Sequence, residues 1–188
     1  SGYTPLTDCV VVANRTNYTD ADGRPPKSIE IVVYYEGSTD ANTDSAVANR
    51  IAAISQGATE TASTTTSSYS ETITVNSNTF YPVTFSRPDT VNIHLSVAVA
   101  KETGALTTDE KTALKTYLAD WGNSLGLGKS IVVYGKNSIS QALNSYGNVD
   151  IIDYTIQAGR PTLGADNIDI ANTEISRFDV ANITISDL

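Results

Sequence analysis

The sequence predicts an α+β fold, built as two small mixed α/β layers with mainly antiparallel sheets. Runs of β-branched residues with period-two alternation recur along the chain, as is typical of half-buried strands. Helical patterns interrupt these runs without the strict strand–helix alternation of a parallel α/β protein. The turn residues Arg87-Pro88-Asp89 separate two such sets, so we predict one domain over 1–89 and a second over 90–188.

The composition indicates a folded, acidic protein. The chain has 188 residues, of which 40% are hydrophobic, so it can form a core without a disulfide or a metal. Twelve lysines and arginines against 21 aspartates and glutamates give a net charge of −9. This charge argues against nucleic acid and against an anionic membrane surface as partners. No apolar run reaches the roughly 18 residues that a membrane-spanning helix needs.

The start of the chain and its cysteine content set two further expectations. Methionine is absent and the chain opens with Ser1-Gly2, which resembles the remnant of a cleaved tag. We therefore expect a piece of a longer or processed protein. Cys9 is the single cysteine, which excludes an internal disulfide and a cysteine-based metal cluster.

The first domain is predicted to contain four strands. The run 9–13 is short and apolar, which predicts a buried strand. The run 28–36 is β-branched and aromatic, which predicts a second strand. Two alternating runs, 71–75 and 80–85, are split by Asn-Ser-Asn, and this pattern predicts a hairpin.

A helix and a polar segment lie between these strands. Apolar residues recur at helical spacing over 43–56 and Gly57 follows, which predicts an amphipathic helix that ends there. The apolar positions expected to face the core are Ala46, Val47, Ile51 and Ile54. The stretch 59–70 consists almost entirely of Thr, Ser, Ala, Glu and Tyr, so we predict a mobile surface loop or an edge hairpin.

The second domain is predicted to follow the order β-α-β-α-β-β. The run 91–99 has the cleanest period-two alternation in the chain and predicts a strand. Thr107 and Glu110 match a capping box, which predicts a helix running to about Leu125. Its core-facing positions are Leu114, Leu118 and Trp121. The remaining predicted elements are strands at 131–134, 149–156, 168–170 and 179–185, and a short helix at 138–146.

The segment 126–130, Gly-Leu-Gly-Lys-Ser, is similar to a phosphate-binding loop but fails on spacing and context. That motif needs a glycine at position 123, which is Asn123, and it needs a strand before it and a helix after it. Here a helix is predicted before the segment and a strand after it. We therefore interpret Gly126 and Gly128 as turn residues that end the helix.

The sequence predicts no catalytic, cofactor-binding or metal-binding residues. His94 is the only histidine and lies on the polar face of a strand, without the glycines of a nucleophile elbow nearby. One histidine and one cysteine form no ordinary transition-metal site. The segment 20–23, Asp-Ala-Asp-Gly, resembles half of a calcium loop, but its twelfth position is Ile31 where a glutamate is needed.

Two further patterns are weak. A pair of carboxylates acting as a glycosidase centre stays open, because the two residues need not be close in the sequence. The triplets that begin at Asn14, Asn17 and Asn182 match the glycosylation sequon, a short pattern that arises by chance in chains rich in Asn and Thr.

An ordered series of segments resembles the baseplate J-like family. The segment 21–33, which reads ADGRPPKSIEIVV, is similar to a stretch of that family. A helix ending in glycine at 47–57, the letters VTFSRP at 83–88 and the strand at 91–99 follow in the family's order. Further similar segments lie at 125–132, 146–150, 167–170 and 182–185, so that the resemblance covers about residues 9–188.

The resemblance implies a structural role and no enzymatic activity or cofactor. Baseplate J-like proteins are wedge components of contractile phage tails and phage-tail-like particles, where six wedges form a ring around the tail hub. The ring changes diameter when the tail fires. This chain would be the C-terminal portion of such a protein, making intersubunit contacts with other wedge and hub proteins and with copies of itself. Its location would be the tail baseplate of the virion, or the host cytoplasm during assembly.

Two other classes of function stay open. An extracellular adhesion or glycan-binding module would account for the strands rich in Thr and Asn. A hydrolase with a carboxylate pair would require two carboxylates roughly 5–9 Å apart in a cleft.

Overall fold

The computed structural model describes residues 6–35, 41–55, 60–75 and 78–188, without the side chains of 55, 75 and 78–81. The predicted α+β class is confirmed, because three helices and nine strands in two mixed sheets form the described part of the chain. The chain divides into two compact units, Ser1–Asp89 and Thr90–Leu188. Each unit has a sheet of its own and is described separately.

Unit 1 is a mixed sheet with one helix. Its elements are β1 (Leu6–Ala13), β2 (Ile29–Tyr35), α1 (Ala41–Ser55), β3 (Thr61–Ala62), β4 (Ser67–Val75) and β5 (Asn78–Arg87). The strand order is β1-β2-β5-β4, and β3 also pairs with β2. The pairs β1–β2 and β4–β5 are antiparallel, as the hairpin signal predicted for the latter. The pairs β2–β5 and β2–β3 are parallel.

Helix α1 packs against β4 and β5 with a stripe that overlaps the predicted one, because Ile51 is buried and Val47 packs against the core as predicted. Ala48, Ile51 and Ala52 are buried in the core of unit 1, where Phe85 is fully buried. Ile54 is 68% exposed and Ala46 is exposed, so the prediction that these two face the core is wrong. The positions 48, 51 and 52 recur at the same helical spacing. These residues face the sheet, where the small alanines allow close approach.

Strand β1 lies at the edge of its sheet, so the prediction of a buried strand is wrong. It pairs with β2 on one side only. Val11 is 60% exposed and Cys9 is exposed. Their partners Ile31 and Val33 on β2 face the same side of the sheet. The helix covers β4 and β5 instead, and this leaves the β1 side chains in solvent.

The polar stretch 59–70 was predicted as a mobile surface loop or an edge hairpin, and over its described residues 60–70 the second alternative fits, because β4 is an edge strand that pairs antiparallel with β5. It contains β3 and the start of β4. The Thr84 backbone N–H donates to Thr61 Oγ1 at 2.8 Å, and the Ser70 and Thr84 hydroxyls lie 3.0 Å apart. Short hydroxyl side chains form these cross-strand bonds, which a composition-based interpretation does not anticipate.

Unit 2 is a four-stranded sheet with two helices. Its elements are β6 (Asp89–Lys101), α2 (Thr108–Asn123), α3 (Ile139–Ser145), β7 (Ile151–Gly159), β8 (Leu163–Gly164) and β9 (Glu174–Asp187). The strand order is β8-β7-β6-β9, so the long strand β6 lies in the middle. The strand pairs β6–β7 and β7–β8 are antiparallel. No helix in the described ranges is both long enough and apolar enough to cross a membrane.

The start of α2 and the core of unit 2 follow the sequence closely. Thr107 Oγ1 accepts from the Glu110 backbone N–H at 3.2 Å, and Glu110 Oε2 accepts from the Thr107 N–H at 2.7 Å. The predicted capping box is therefore confirmed. The alternating apolar residues of β6 are buried with Leu114 and Leu118 of α2. The helix ends at Asn123 rather than near Leu125, with Ser124 as its C-cap.

Two predicted strands of unit 2 are not strands. Ile131 and Ile168 form an isolated bridge through two backbone hydrogen bonds of 2.8 and 2.9 Å, outside the named strands. Both side chains are buried in the core. The apolar alternation at 131–134 and 168–170 reflects burial of loop residues, which strand periodicity cannot separate from a true strand.

Gly122 gives a direct test of packing in unit 2. A Cβ at this position of α2 would overlap the buried Phe178 ring on β9. We expect Gly122→Ala to lower the free energy of unfolding by about 1–2 kcal/mol, because the clash outweighs the better helix propensity of alanine. Urea unfolding followed by Trp121 fluorescence measures this, since Trp121 lies 6.2 Å from Phe178 between ring centroids.

The matched control for this substitution is Gly147→Ala. A Cβ at Gly147 meets nothing within 4 Å, so its stability should stay within the error of the measurement. Equal stability of the two variants and the parent chain would contradict the proposed close contact.

Candidate functional site

A buried ion pair lies at the centre of unit 1. Arg24 is 5% exposed and Glu30 is fully buried. The Arg24 Nε donates to Glu30 Oε2 at 2.8 Å. The Arg24 Nη1 contacts Asp20 Oδ2 at 3.0 Å and Asp22 Oδ2 at 2.7 Å. Three carboxylates therefore surround one guanidinium, which can donate to several acceptors in one plane.

Glu30 joins two further segments, at Thr64 and Ser86, to this pair. Its Oε1 accepts from the Thr64 backbone N–H at 2.7 Å and from Ser86 Oγ at 2.5 Å. Its Oε2 also accepts from Thr64 Oγ1 at 2.8 Å. Burial alone would raise the pKa of Glu30, but the hydrogen bonds from Ser86, Thr64 and Arg24 hold that pKa below its ordinary value. The carboxylate is therefore charged and fully bonded inside the fold.

Asn14 organises the turn that carries Arg24. Its Nδ2 donates to the backbone carbonyls of Tyr18, Arg24 and Pro25 at 2.8–2.9 Å. Its Oδ1 accepts from the backbone N–H and the hydroxyl of Thr16. This buried amide is occupied by the fold, so the sequon at Asn14 is structural. The asparagines of the other two sequons, Asn17 and Asn182, have no comparable structural role among the described residues.

The half calcium loop at 20–23 is part of the same network. The Asp20 Oδ1 accepts from the backbone N–H groups of Asp22 and Arg24 at 3.1 and 2.9 Å. The other carboxylate oxygens of Asp20 and Asp22 contact the Arg24 guanidinium, which takes the place that a cation would need. Among the described residues, no group of three or more His, Cys, Asp and Glu side chains is placed to hold a metal ion.

A second ion pair joins β5 to α1. Arg87 Nη2 lies 2.5 Å from Asp44 Oδ2, and the Arg87 guanidinium lies 5.6 Å from the centre of the Tyr35 ring. Burial, followed by the charge of Asp44, raises the pKa of Tyr35 to about 12. Arg87, which the sequence places at the domain boundary, thus anchors the helix to the sheet.

Unit 2 has a surface groove of about 720 Å³ between α2, α3 and the segment that connects them. Tyr117 and Trp121 lie one turn apart on α2 and form one side. Gln141 of α3 lies on the groove, and the exposed Lys129 and Lys136 come from the connecting segment. No carboxylate is among its lining residues. We name this surface the α2–α3 groove.

The α2–α3 groove is preformed by contacts that fix its aromatic side chains. The rings of Tyr117 and Tyr146 have centroids 4.9 Å apart, and Trp121 meets Phe178 edge-on. The Asn137 backbone N–H donates to Gln141 Oε1 at 2.6 Å, which leaves the Nε2 donors of Gln141 for a ligand. The groove therefore offers aromatic faces and hydrogen-bond donors of positive or neutral character.

The glycine-rich segment 126–130 borders this groove and is not a phosphate loop. Gly126 and Gly128 have φ values of 83° and 62°, as turn residues, and the Gly128 N–H donates to the Glu174 carbonyl at 3.0 Å. The predicted strand after it is absent, because only isolated bridges follow before α3. Lys129 and Ser130 thus reach the groove from a turn instead of a helix start.

The other candidates from the sequence stay apart. His94 lies on β6 beside a smaller cavity of about 330 Å³, whose lining residues include Asn182 and no carboxylate. Neither this cavity nor the α2–α3 groove holds the carboxylate pair that a glycosidase uses. The sequence alone pointed to neither the bonds between Glu30 and Thr64 nor the groove. The spacing of Tyr117 and Trp121, one helical turn apart, was the one available signal for the groove.

Removing one partner of the buried pair in unit 1 should be costly. We expect Arg24→Met to lower the free energy of unfolding by about 3 kcal/mol, because Glu30 would stay buried without its counter-charge. Circular dichroism during urea unfolding measures this. In the double variant Arg24→Met/Glu30→Leu, part of the stability should return.

Lys101→Met is the matched control for Arg24→Met. Lys101 pairs with Glu110 at 2.9 Å, but both side chains are partly exposed, so the loss should be much smaller. Similar losses for Arg24→Met and Lys101→Met would contradict the role assigned to burial.

Acid should remove the contribution of Glu30. Since its pKa in the fold is lower than the ordinary 4.5, its charge stabilises the fold fully above about pH 4.5 and less as the pH falls through the folded pKa. We expect the stability difference between the parent and Glu30→Gln to be constant from about pH 7 to 5 and to shrink below. Urea unfolding at each pH measures it, and a difference that does not change with pH would contradict this assignment.

Family models and curated proteins provide no relative from which a function could be inferred. No protein family model matches the sequence, and no curated protein matches it either. The functional interpretation therefore depends on the ordered sequence resemblance, on the network around Glu30 and on the α2–α3 groove.

Proposed function

We propose that this chain is a structural component of a baseplate wedge in a contractile phage tail or a phage-tail-like particle, where it makes intersubunit contacts in the baseplate ring. The proposal starts from the series of segments over about 9–188 that resembles the baseplate J-like family in order and spacing. Its partners would be other wedge and hub proteins and further copies of the chain, and its location the tail baseplate of the virion.

The observation that carries the proposal is the use of the resembling segment 21–33. Arg24, Pro25, Ser28 and Glu30 of this segment bond to one another or to the neighbouring strands. Ser28 Oγ donates to the Pro25 carbonyl at 2.8 Å, and Glu30 bonds to residues 34 and 56 positions further along the chain. The most distinctive letters of the segment thus build a fold. This structural use of the segment is what a scaffold role requires.

The surface chemistry supports binding over catalysis. The α2–α3 groove has aromatic faces and lysines, without a carboxylate, a histidine or a cysteine among its lining residues. Lysine ammonium groups suit recognition of anions. The net charge of −9 would keep such a component soluble before it assembles.

One observation favours the alternative of an adhesion or glycan-binding module. Tyr117 and Trp121 lie in the same groove as the amides of Asn137 and Gln141. Aromatic faces and amide groups can stack on sugar rings and bond their hydroxyls. Binding on a glycan array, lost in Trp121→Ala, would favour this module.

Mass spectrometry on purified contractile-tail particles from the source organism tests the proposal. Trypsin releases the segment 28–50 as one peptide, since Lys27 and Arg50 border it. We expect this peptide at a whole multiple of about six copies per particle, because the ring contains six wedges. Tail-less mutant lysates serve as the control. Absence from the particles together with recovery at the cell surface would overturn the wedge proposal and support the adhesion module.

A further inference from the structure

Two of the unit 2 lysines that form no ion pair within the described residues lie on the α2–α3 groove. Lys101, Lys111 and Arg160 each form an ion pair with a carboxylate. Lys129 and Lys136 are exposed and form no salt bridge within the described residues. One lining residue bonds to a carboxylate, since the Ser130 hydroxyl donates to Asp169 Oδ1 at 3.4 Å. In an acidic protein, two uncompensated cations on one groove create a local positive potential.

The groove also has an apolar part on which a side chain of a ligand could pack. Leu125, Val132 and Ala142 lie among the lining residues beside Tyr117 and Trp121. Rings that are already fixed by Tyr146 and Phe178 lose little freedom when a ligand packs on them. Aromatic anchors of this kind carry much of the energy in protein interfaces, with charged groups at the rim that set specificity.

The hydrogen-bond donors of the groove indicate which ligand groups it can bind. The Lys129 and Lys136 ammonium groups and the Nε2 of Gln141 all donate, and the Gln141 Oε1 already accepts one hydrogen bond, from the Asn137 N–H. Such a set fits carboxylates and backbone carbonyls. The hydroxyls of neutral sugars donate as often as they accept, so they match a set made mostly of donors less well.

We propose that the α2–α3 groove docks an acidic peptide segment of a partner protein, with one aromatic or aliphatic side chain on Tyr117 and Trp121 and carboxylates at Lys129 and Lys136. This inference rests on the proposed assembly function and names the kind of partner that the groove fits. It applies to a segment in an extended or loosely turned form, which can follow an open groove.

A displayed library of random 12-residue peptides, selected on the immobilised chain, tests the proposal. We expect enriched peptides to be acidic and to contain an aromatic or aliphatic residue. A synthetic copy of the best peptide is then titrated against the chain in solution. Trp121 fluorescence reports binding, because it is the only tryptophan. Raising the salt concentration should weaken the complex, since exposed charges are screened.

Charge reversals locate the site. Lys129→Glu and Lys136→Glu should each weaken binding several-fold, and together about tenfold or more. Lys115→Glu is the matched control, because Lys115 is a lysine of α2 that forms no salt bridge in the described residues and does not line the groove. Its dissociation constant should stay within about twofold of the parent value. Thermal unfolding of each variant checks that the fold is intact.

Three results would overturn the proposal. They are selection of no acidic peptides, equal weakening by Lys115→Glu, and neutral glycans that bind to the groove without loss on lysine reversal. The last result would assign the groove to sugars. Acidic peptide binding by a chain that is absent from tail particles would overturn only the wedge function. A chain that is present in particles but binds no acidic peptide would overturn only the groove assignment.

Discussion

The structure of unit 1 depends on one requirement, which is that the charge of Glu30 be satisfied inside the protein. A buried carboxylate is stable only with a counter-charge and hydrogen bonds, and Arg24, Thr64 and Ser86 supply them. These groups come from a turn, from the polar stretch and from β5. The three segments therefore meet at one strand, β2, which pairs antiparallel with β1 and parallel with β3 and β5.

The same requirement explains features that resemble functional chemistry in the sequence. Asp20 and Asp22 look like metal ligands, yet they complete the coordination of the Arg24 guanidinium. Asn14 looks like a modification site, yet its amide holds the turn. Gly23 has a φ of 92°, which fits a tight turn that an L side chain would strain. The polar residues of these short motifs thus form hydrogen bonds and ion pairs within the protein, so they are not available to a ligand.

Unit 2 is stabilised in another way. Its core joins the apolar face of β6 to α2, and Phe178 on β9 packs so closely on Gly122 that no side chain fits between them. Because apolar burial holds this unit together, its polar side chains are available at the surface. The lysines and the amide of the α2–α3 groove are such residues, whereas the polar groups around Glu30 bond to one another.

The sequence by itself determined the features that depend on neighbours along the chain. The alternation of β6, the capping box of Thr107 and Glu110, and the α+β class depend on local geometry, so they could be read from residue patterns. Tertiary structure decided the rest. Val11 is exposed and Ile131 is buried in a loop because of which element packs over them. Likewise, Thr64 bonds Glu30 from 34 residues away, a distance in sequence that no local pattern encodes.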